Sequence, residues 1–225
     1  MKSRSKRYKN SAELVTSPKI INLSDAIVAL KKFIPVKFDE SIEVSISLGV
    51  DPKQSAQAVR GTVNLPHGSG KDVKVLVFTD NPDEAISAGA DFAGLEDTIK
   101  KVKDGWVDFD VALSTTSAMK DVRSVARILG PRGLMPTPKA GTVTDDLASA
   151  IKNVKSGRVE FKMDKTGALA VLVGKRSFDH PQLVENAQAA IDAVNSARPE
   201  GFKGKFIKNV HISSTMSPSL AIESN

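Results

Sequence analysis

Two kinds of strand pattern occur in this chain, and their order constrains the fold more than any other feature. Residues 41–48 (SIEVSISL) alternate strictly between polar and apolar side chains, which predicts a strand with one buried face and one face open to water or a ligand. Residues 207–213 alternate in a similar way near the other end. Between them, residues 74–79 (KVLVFT) form a continuous apolar run, which is typical of a strand covered on both faces.

Helical patterns alternate with these strands along the chain. Apolar spacing predicts helices at 24–33, 82–88, 95–104, 119–129, 145–155 and 181–197. Ser24 is the predicted N-cap of the first of these helices. Further strands are expected at 61–65, 90–93, 107–114, 158–163 and 169–173. The last two are expected to form a hairpin around residues 164–167.

The order of the patterns predicts a mixed fold that combines α/β and α+β architecture. Residues 68–159 are expected to form a three-layer, doubly wound α/β domain. It would be inserted into a two-layer α+β domain built from residues 1–67 and 160–225. The two crossings are rich in proline and glycine, so both are predicted hinges, with the hinge residues Pro66, Gly68, Gly70 and Gly157.

The positive charge of the chain is unevenly distributed. The net charge is +6. Residues 68–159 hold 13 basic and 13 acidic side chains, whereas the two terminal segments hold 19 and 13. A polyanionic partner is therefore expected, with the terminal domain as its footprint. The segment 1–9 (MKSRSKRYK) is interpreted as a basic arm, either a solvated tail or an arm that docks on phosphates.

Catalytic and metal-binding patterns are missing from the sequence. The chain has no cysteine, and its three histidines, His67, His180 and His211, lack metal-ligand spacing. Residues 68–71 (GSGK) are similar to part of a phosphate-binding loop. That motif, however, needs Gly at 65 and Ser or Thr at 72, where this chain has Leu65 and Asp72. We therefore expect no catalytic residue, no metal and no cofactor; an enzyme that uses a nucleotide on the middle domain is the alternative. No apolar run of about 18 residues occurs, so no membrane span is expected.

Several polar segments are candidates for contact with RNA. Phe38, which follows Lys37 before the first alternating strand, is either a core residue or a platform for a base. The turn 162–167 (KMDKTG) offers two lysines and a threonine, and residues 213–217 (SSTMS) offer four hydroxyl groups and a thioether. Such groups suit ribose hydroxyl and phosphate contacts. The proline-rich and glycine-rich stretch 130–141 is either an ordinary loop or a stiff loop that presents Arg132 and Lys139 to an anion.

These segments together resemble the family of large ribosomal subunit protein one, in its bacterial and organellar branch. The resemblance rests on KFDESIEVSISLGVDP at 37–52, VRGTVNLPHGSGK at 59–71 and ILGPRGLMPTPKAGTVT at 128–144. It continues through GRVEFKMDKTG at 157–167 and GKFIKNVHISSTMSPS at 204–219. The matches lie in the same order in nearly the whole chain.

The resemblance implies a protein that binds RNA and catalyses no reaction. It implies the two-domain fold with an inserted middle domain, direct binding to the stalk region of large-subunit ribosomal RNA, and contact with deacylated tRNA at the exit site. Many bacterial members also repress translation by binding their own messenger RNA. The expected protein is a monomer when free, cytoplasmic and ribosome-bound, and the lack of a targeting segment favours a bacterial over an organellar ribosome.

The resemblance also implies RNA contacts at particular positions. Carried over to this chain, they are Lys37, Phe38, Ser41, Asp164, Lys165, Thr166, Ser213, Thr215, Met216 and Ser217, and the turn composition adds Lys162. At position 217 the family usually has glycine, which lets a backbone approach RNA closely; serine stands there in this chain. A repressor whose main target is messenger RNA stays an alternative, because one surface would serve both RNAs.

Overall fold

A computed structural model of the chain describes residues 4–15, 20–52, 54, 57–200 and 202–223, apart from the side chain of Lys139. The chain forms two compact units. We call Met1–Gly70 with Val159–Asn225 the terminal unit, and Lys71–Arg158 the middle unit. The sequence pattern puts the limits of the inserted segment at 68 and 159. Within the described ranges, none of the helices combines the length and the apolar character that crossing a bilayer requires.

Helices and strands follow one another along both units. The helices are α1 (Lys6–Glu13), α2 (Leu23–Lys32), α3 (Pro82–Ser87), α4 (Glu96–Lys103), α5 (Met119–Val122), α6 (Ala126–Leu129), α7 (Leu147–Lys155) and α8 (His180–Ser196). The strands are β1 (Ser41–Leu48), β2 (Arg60–Asn64), β3 (Val75–Phe78), β4 (Phe92–Gly94), β5 (Val111–Ser114), β6 (Arg158–Lys162), β7 (Ala168–Lys175), β8 (Ile207–Ser214) and β9 (Leu220–Ile222). Short 3-10 turns occupy Arg123–Val125 and Pro138–Ala140.

The terminal unit is built on a four-stranded antiparallel sheet in the order β7-β1-β8-β9. The apolar half of β1, namely Ile42, Val44, Ile46 and Leu48, is buried in one core with side chains of α2 and α8. These two helices therefore cover one face of the sheet only. The alternating pattern of residues 41–48 predicted this arrangement, and it is confirmed.

The predicted hairpin of residues 158–173 is wrong. The turn at residues 164–167 forms, with the N–H of Asp164 donating to the carbonyl of Ala168 at 2.8 Å. The strands on either side, however, belong to different sheets: β6 pairs with β2 in a two-stranded sheet, and β7 pairs with β1. Pairing with strands far away in the sequence replaces the local pairing, because it buries Phe161 and Val171 in the same core.

The middle unit is a parallel sheet in the order β4-β3-β5 with packed layers on both faces. Leu76 and Phe78 of β3 pack into one apolar cluster, and Val75 and Val77 pack into another. Because successive side chains of a strand point to opposite faces, both faces are covered. The continuous apolar run of residues 74–79 predicted this, and the α/β fold class is confirmed.

Two local predictions about helices need correction. Asn22, and not Ser24, caps α2, because the Asn22 side chain accepts the N–H of Asp25 at 2.8 Å. The predicted helix 119–129 is broken by the 3-10 turn at 123–125. Its tighter period sets Val122 and Val125 above one another, and both are fully buried. The sequence pattern predicted no conformation for the basic arm; the arm is helical from Lys6 onward, in α1, and residues 1–3 lie outside the described residues.

Candidate nucleic-acid interface

The second face of the terminal sheet is open and lined mostly by small or polar side chains. On β1 this face presents Glu43, Ser45 and Ser47, of which the first two are exposed. The register sets β8 and β7 beside them: the open face also carries Ser213, His211, Asn209, Leu172, Ala170 and Ala168. Glu43 is the one carboxylate in this group of residues. This group of residues is therefore almost uncharged. Alternation in the sequence predicted an open face only for β1 and β8.

Ser41 and the segment 213–217 meet at one end of this face. The N–H of Ser41 donates to Oγ1 of Thr215 at 3.0 Å, and the N–H of Thr215 donates to the carbonyl of Ser41 at 3.0 Å. Lys37 is exposed on the loop before β1. Phe38 and Met216 are 54% and 48% exposed, although both side chains are large and apolar. We call these residues, with Ser213 and Ser217, the near end.

A buried ion pair that the sequence did not reveal organises the near end. Glu40 is 1% exposed, and its Oε2 lies 2.7 Å from Nη1 of Arg176. Its Oε1 accepts hydrogen bonds from the hydroxyl of Ser214 and from the N–H of Met216, both at 3.1 Å. The other guanidinium nitrogen of Arg176 donates to carbonyls at the end of α2. The pair thus fixes the loop before β1, the end of β7 and the segment after β8 relative to one another.

Ser217, which stands where the family usually has glycine, has its hydroxyl engaged internally. Its Oγ accepts the N–H of Ser214 at 3.0 Å and donates to the carbonyl of Pro218 at 2.9 Å. The φ angle of Ser217 is not positive, because all residues with positive φ among those described are glycines. The serine therefore closes the turn that presents Met216.

Asp164, Lys165 and Thr166 lie at the opposite end of β1. Ala168 pairs with Ser47, and the carbonyl of Gly167 accepts the N–H of Leu48 at 2.8 Å. A strand rises about 3.3 Å per residue, so this far end lies roughly 20 Å from Ser41. The structure therefore separates the predicted residues into two groups, which the open face of the sheet connects.

Asp164 shapes the turn of the far end. Its Oδ1 accepts the hydroxyl of Thr166 at 2.7 Å, the N–H of Thr166 at 2.7 Å and the N–H of Ala168 at 3.0 Å. The hydrogen bond from Thr166, reinforced by these backbone donors, lowers the pKa of Asp164 below its usual 3.8. Lys165 and, on β6, Lys162 are exposed beside this turn. The carboxylate of Asp164 is thus engaged in hydrogen bonds within the turn, whereas the two lysines face solvent.

Further cations surround the near end: Lys175, which sequence reasoning did not assign, and side chains of the predicted basic arm. Nζ of Lys175, at the end of β7, lies 2.9 Å from Oγ of Ser41. Arg7 of α1 donates to the carbonyl of Met216 at 2.8 Å, which places this basic helix next to the near end. Lys6 and Lys9 of the same helix are exposed. Positive charge is therefore concentrated at the near end of the open face.

The proposed hinge residues occupy tight backbone positions. Asn186, fully buried on α8, accepts the N–H of His67 at 3.1 Å and donates to the carbonyls of Gly68 at 3.0 Å and Val173 at 2.8 Å. Gly68, Gly70 and Gly157 have φ angles of 70°, 68° and 108°, and Pro66 is exposed. The chain segment at 67–68 is thus attached to α8.

Within the described part of the chain, no cluster of three or more histidine, aspartate or glutamate side chains could hold a metal ion. The fold and the open polar sheet define a two-unit α/β protein whose most distinctive surface is suited to binding. The chain belongs to the ribosomal protein L1p/L10e family, whose model matches residues 30–218.

Curated relatives cover nearly the whole chain. It is 49% identical over 225 residues to the large ribosomal subunit protein uL1 of Kosmotoga olearia, with 99% of this chain and 97% of the relative covered. Proteins of the same name in Persephonella marina and Protochlamydia amoebophila are 50% and 48% identical. These two matches cover 99% and 97% of this chain, and 95% and 94% of the relatives. The relatives are bacterial, as the sequence resemblance implied.

Proposed function

We propose that the chain is a structural protein of the large ribosomal subunit that binds the stalk region of large-subunit ribosomal RNA through the open face of its terminal sheet. Membership of a ribosomal protein family and the shared name of its bacterial relatives support the subunit assignment. They also support a cytoplasmic, ribosome-bound location. The observation that carries the proposal for the site is the open polar face with exposed Phe38 and Met216 at one end.

The mode of recognition follows from the chemistry of this face. Serine, asparagine and histidine side chains match ribose hydroxyl groups and base edges on the shallow groove of an RNA helix. Phe38 offers a flat surface on which one unpaired base stacks, and Met216 offers a second apolar contact. The cations around the face, among them Lys37, Lys165 and Lys175, neutralise phosphates. Shape and hydroxyl contacts then give specificity, and the flanking charge adds affinity.

Two further activities belong to the same proposal. The chain assists the release of exit-site tRNA while it stays bound to the stalk, and the crossings at Pro66–Gly70 and Gly157 act as hinges for this task. The chain also represses translation of its own messenger RNA when that RNA presents the same groups as the stalk. In both activities the protein acts by binding, without a catalytic residue or a cofactor.

A titration against a stalk ribosomal RNA fragment tests the site. The chain is titrated at two salt concentrations with excess unrelated tRNA as competitor. Tight binding that survives the competitor, with a shallow salt slope, is the expected result. Binding that the competitor abolishes, with a slope of about −0.7 to −0.9 per phosphate, would mean a generic basic surface.

Variants at the near end make the test specific. Exchange of Thr215 and Met216 for alanine is expected to weaken stalk RNA binding, whereas Thr215→Ser keeps the hydroxyl that accepts the N–H of Ser41 and should retain affinity. Ile86→Ala is a matched control, because Ile86 is a large apolar residue with 55% exposure in the middle unit. Unchanged affinity in the double alanine variant would contradict the proposed site.

A further inference from the structure

The middle unit has no net charge, yet its charge is strongly segregated. Residues 119–132 hold the cations Lys120, Arg123, Arg127 and Arg132 and a single carboxylate, that of Asp121. This segment therefore has a net charge of +3, and the remainder of the middle unit has a net charge of −3. The balance of the whole unit conceals a local positive surface.

The backbone sets these cations on one side of a well-anchored segment. Lys120, Arg123 and Arg127 follow one another at spacings of three and four residues through α5, the 3-10 turn and α6, and all three are exposed. Although the 3-10 turn interrupts the helix, all three lie on the solvent side of the segment. The opposite side of the segment contributes Val122, Val125 and Leu129 to the core, where they are fully buried. The cations from 120 to 127 span about 11 Å at helical rises of 1.5 to 2.0 Å per residue.

Arg132 extends the row beyond the end of α6. The chain turns back at Gly130, where the N–H of Gly133 donates to the carbonyl of Gly130 at 3.1 Å. The N–H of Leu134 donates to the carbonyl of Leu129 at 3.0 Å. This closed turn holds exposed Arg132 next to the carboxyl end of the helix. We call Lys120, Arg123, Arg127 and Arg132 the basic stripe.

Three other cations of the middle unit form ion pairs, whereas the cations of the stripe form none with the residues that the structure describes. Lys71, Lys74 and Lys155 are paired with Asp110, Asp108 and Asp91 at 2.5, 2.9 and 3.2 Å. In the part of the middle unit that the structure describes, no carboxylate oxygen lies within 4.0 Å of a stripe cation. Two lysines of α4 have an acidic residue one turn earlier in the helix: Glu96 precedes Lys100, and Asp97 precedes Lys101.

We infer that the basic stripe is a second RNA-binding surface, on the middle unit, and that it contacts the phosphate backbone of a structured RNA. Three of its four cations are arginines, whose planar guanidinium groups bind phosphate oxygens in a bidentate manner. The fixed spacing favours a rigid, regularly charged backbone over a flexible acidic peptide. The choice of exit-site tRNA as the ligand rests on the proposed function. The inference that the stripe binds RNA does not depend on it.

Deacylated tRNA is the probe for this inference. Labelled tRNA is titrated with the full chain at about 50 and 200 mM salt. Unlabelled stalk RNA fragment, equimolar with the chain, keeps the terminal unit occupied and leaves no excess of RNA to compete for the stripe. The variant Arg123→Ala/Arg127→Ala/Arg132→Ala is compared with the control Lys100→Ala/Lys101→Ala/Lys103→Ala, which removes equal charge from α4. Circular dichroism and the fluorescence of the single tryptophan, Trp106, which packs in the same apolar cluster as Leu129, check that both variants fold.

The arginine variant is expected to bind tRNA about tenfold more weakly. Its salt slope should be shallower by about 2 to 3, since each lost phosphate contact removes about 0.7 to 0.9. The α4 control should match the unmodified chain. Equal losses of tRNA affinity in the two variants, or a loss in neither, would overturn the inference. It would also be overturned if polyglutamate of matched charge competed as well as RNA does.

Binding of the stalk fragment is measured separately for each variant. We expect the arginine variant to keep this binding, because the stripe belongs to the other unit. Failure of the unmodified chain to bind the stalk fragment would reject the proposed function. The titration with tRNA alone would then still decide the inference about the stripe.

Discussion

Replacement of Arg176 by methionine is expected to destabilise the terminal unit, because the buried carboxylate of Glu40 then loses its cationic partner. Glu40 is 1% exposed, and Arg176 Nη1 is its only cationic partner, at 2.7 Å, in the described part of the chain. Loss of one member of a buried ion pair costs about 3–5 kcal/mol of unfolding free energy. Because the Arg176 side chain is 17% exposed, water can reach part of the site. We therefore expect a loss near 3 kcal/mol, the lower end of that range.

Urea denaturation with two signals separates this effect from changes elsewhere. The single tryptophan, Trp106, lies in the middle unit, so its fluorescence reports that unit alone, whereas far-UV circular dichroism reports both. With a typical slope of about 2 kcal/mol per molar urea, the transition of the terminal unit should move down by roughly 1.5 M. Arg60→Met is the matched control: its ion pair with Glu160 is more exposed, and loss of such a pair costs about 1 kcal/mol or less.

A double variant tests the cause of the destabilisation. Glu40→Leu/Arg176→Met removes both charges, so it should be less destabilised than the sum of the two single variants, by roughly 1–3 kcal/mol. Additive losses would refute the reasoning, since they would mean that the two side chains do not stabilise one another. A shift of the Trp106 signal in place of the dichroism signal would refute it as well.

Three further predictions follow from contacts of the terminal unit. Asn186→Ala should lower the unfolding free energy by about 2–4 kcal/mol in the same denaturation assay, because two backbone carbonyls and one N–H lose their partner; a loss below 1 kcal/mol would contradict this. Asp164 should titrate below 3.8 by NMR, so its contribution to the turn is complete above that pH and is lost as the pH falls through the lowered pKa. Thr166→Val should move this midpoint back toward 3.8, and an unchanged midpoint would count against the hydrogen bond as the main cause. Phe38→Ala should weaken stalk RNA binding by about 1–3 kcal/mol, the value of one stacked base, with no change in stability, since the ring is exposed; equal affinity would exclude stacking.

Patterns within single segments predicted much of this fold. The alternation in residues 41–48 gave the bounds of β1, its buried half and its open half. The apolar run at 74–79 indicated a covered parallel strand, and β3 lies inside it. Such patterns succeed because side-chain direction along a strand has a fixed period of two residues, whichever strands become its neighbours.

Features that depend on distant pairing could not be predicted in this way. β6 and β7 are neighbours in sequence, yet each pairs with a strand from the first third of the chain. The burial of Glu40 depends on Arg176, which lies 136 residues away in sequence. A carboxylate beside a strand ordinarily reads as a solvated charge, and nothing local marks this one. The separation of the candidate RNA contacts into near and far ends depends on the same pairings.

The pairing of β1 has a consequence for the order in which the chain folds during synthesis. Its partner β7 begins at Ala168, about 120 residues after β1 ends, and at 5–20 residues per second the ribosome needs roughly 6–24 s to make that stretch. The middle unit, in contrast, is continuous in sequence and joins strands of short separation, so we expect it to fold first. Until β7 and β8 emerge, β1 exposes both edges and its apolar face, which makes it a site for chaperone binding or aggregation. The proposed RNA-binding face can therefore form only when synthesis is nearly complete, and we expect that nascent chains interrupted before β8 do not compete with finished protein for RNA.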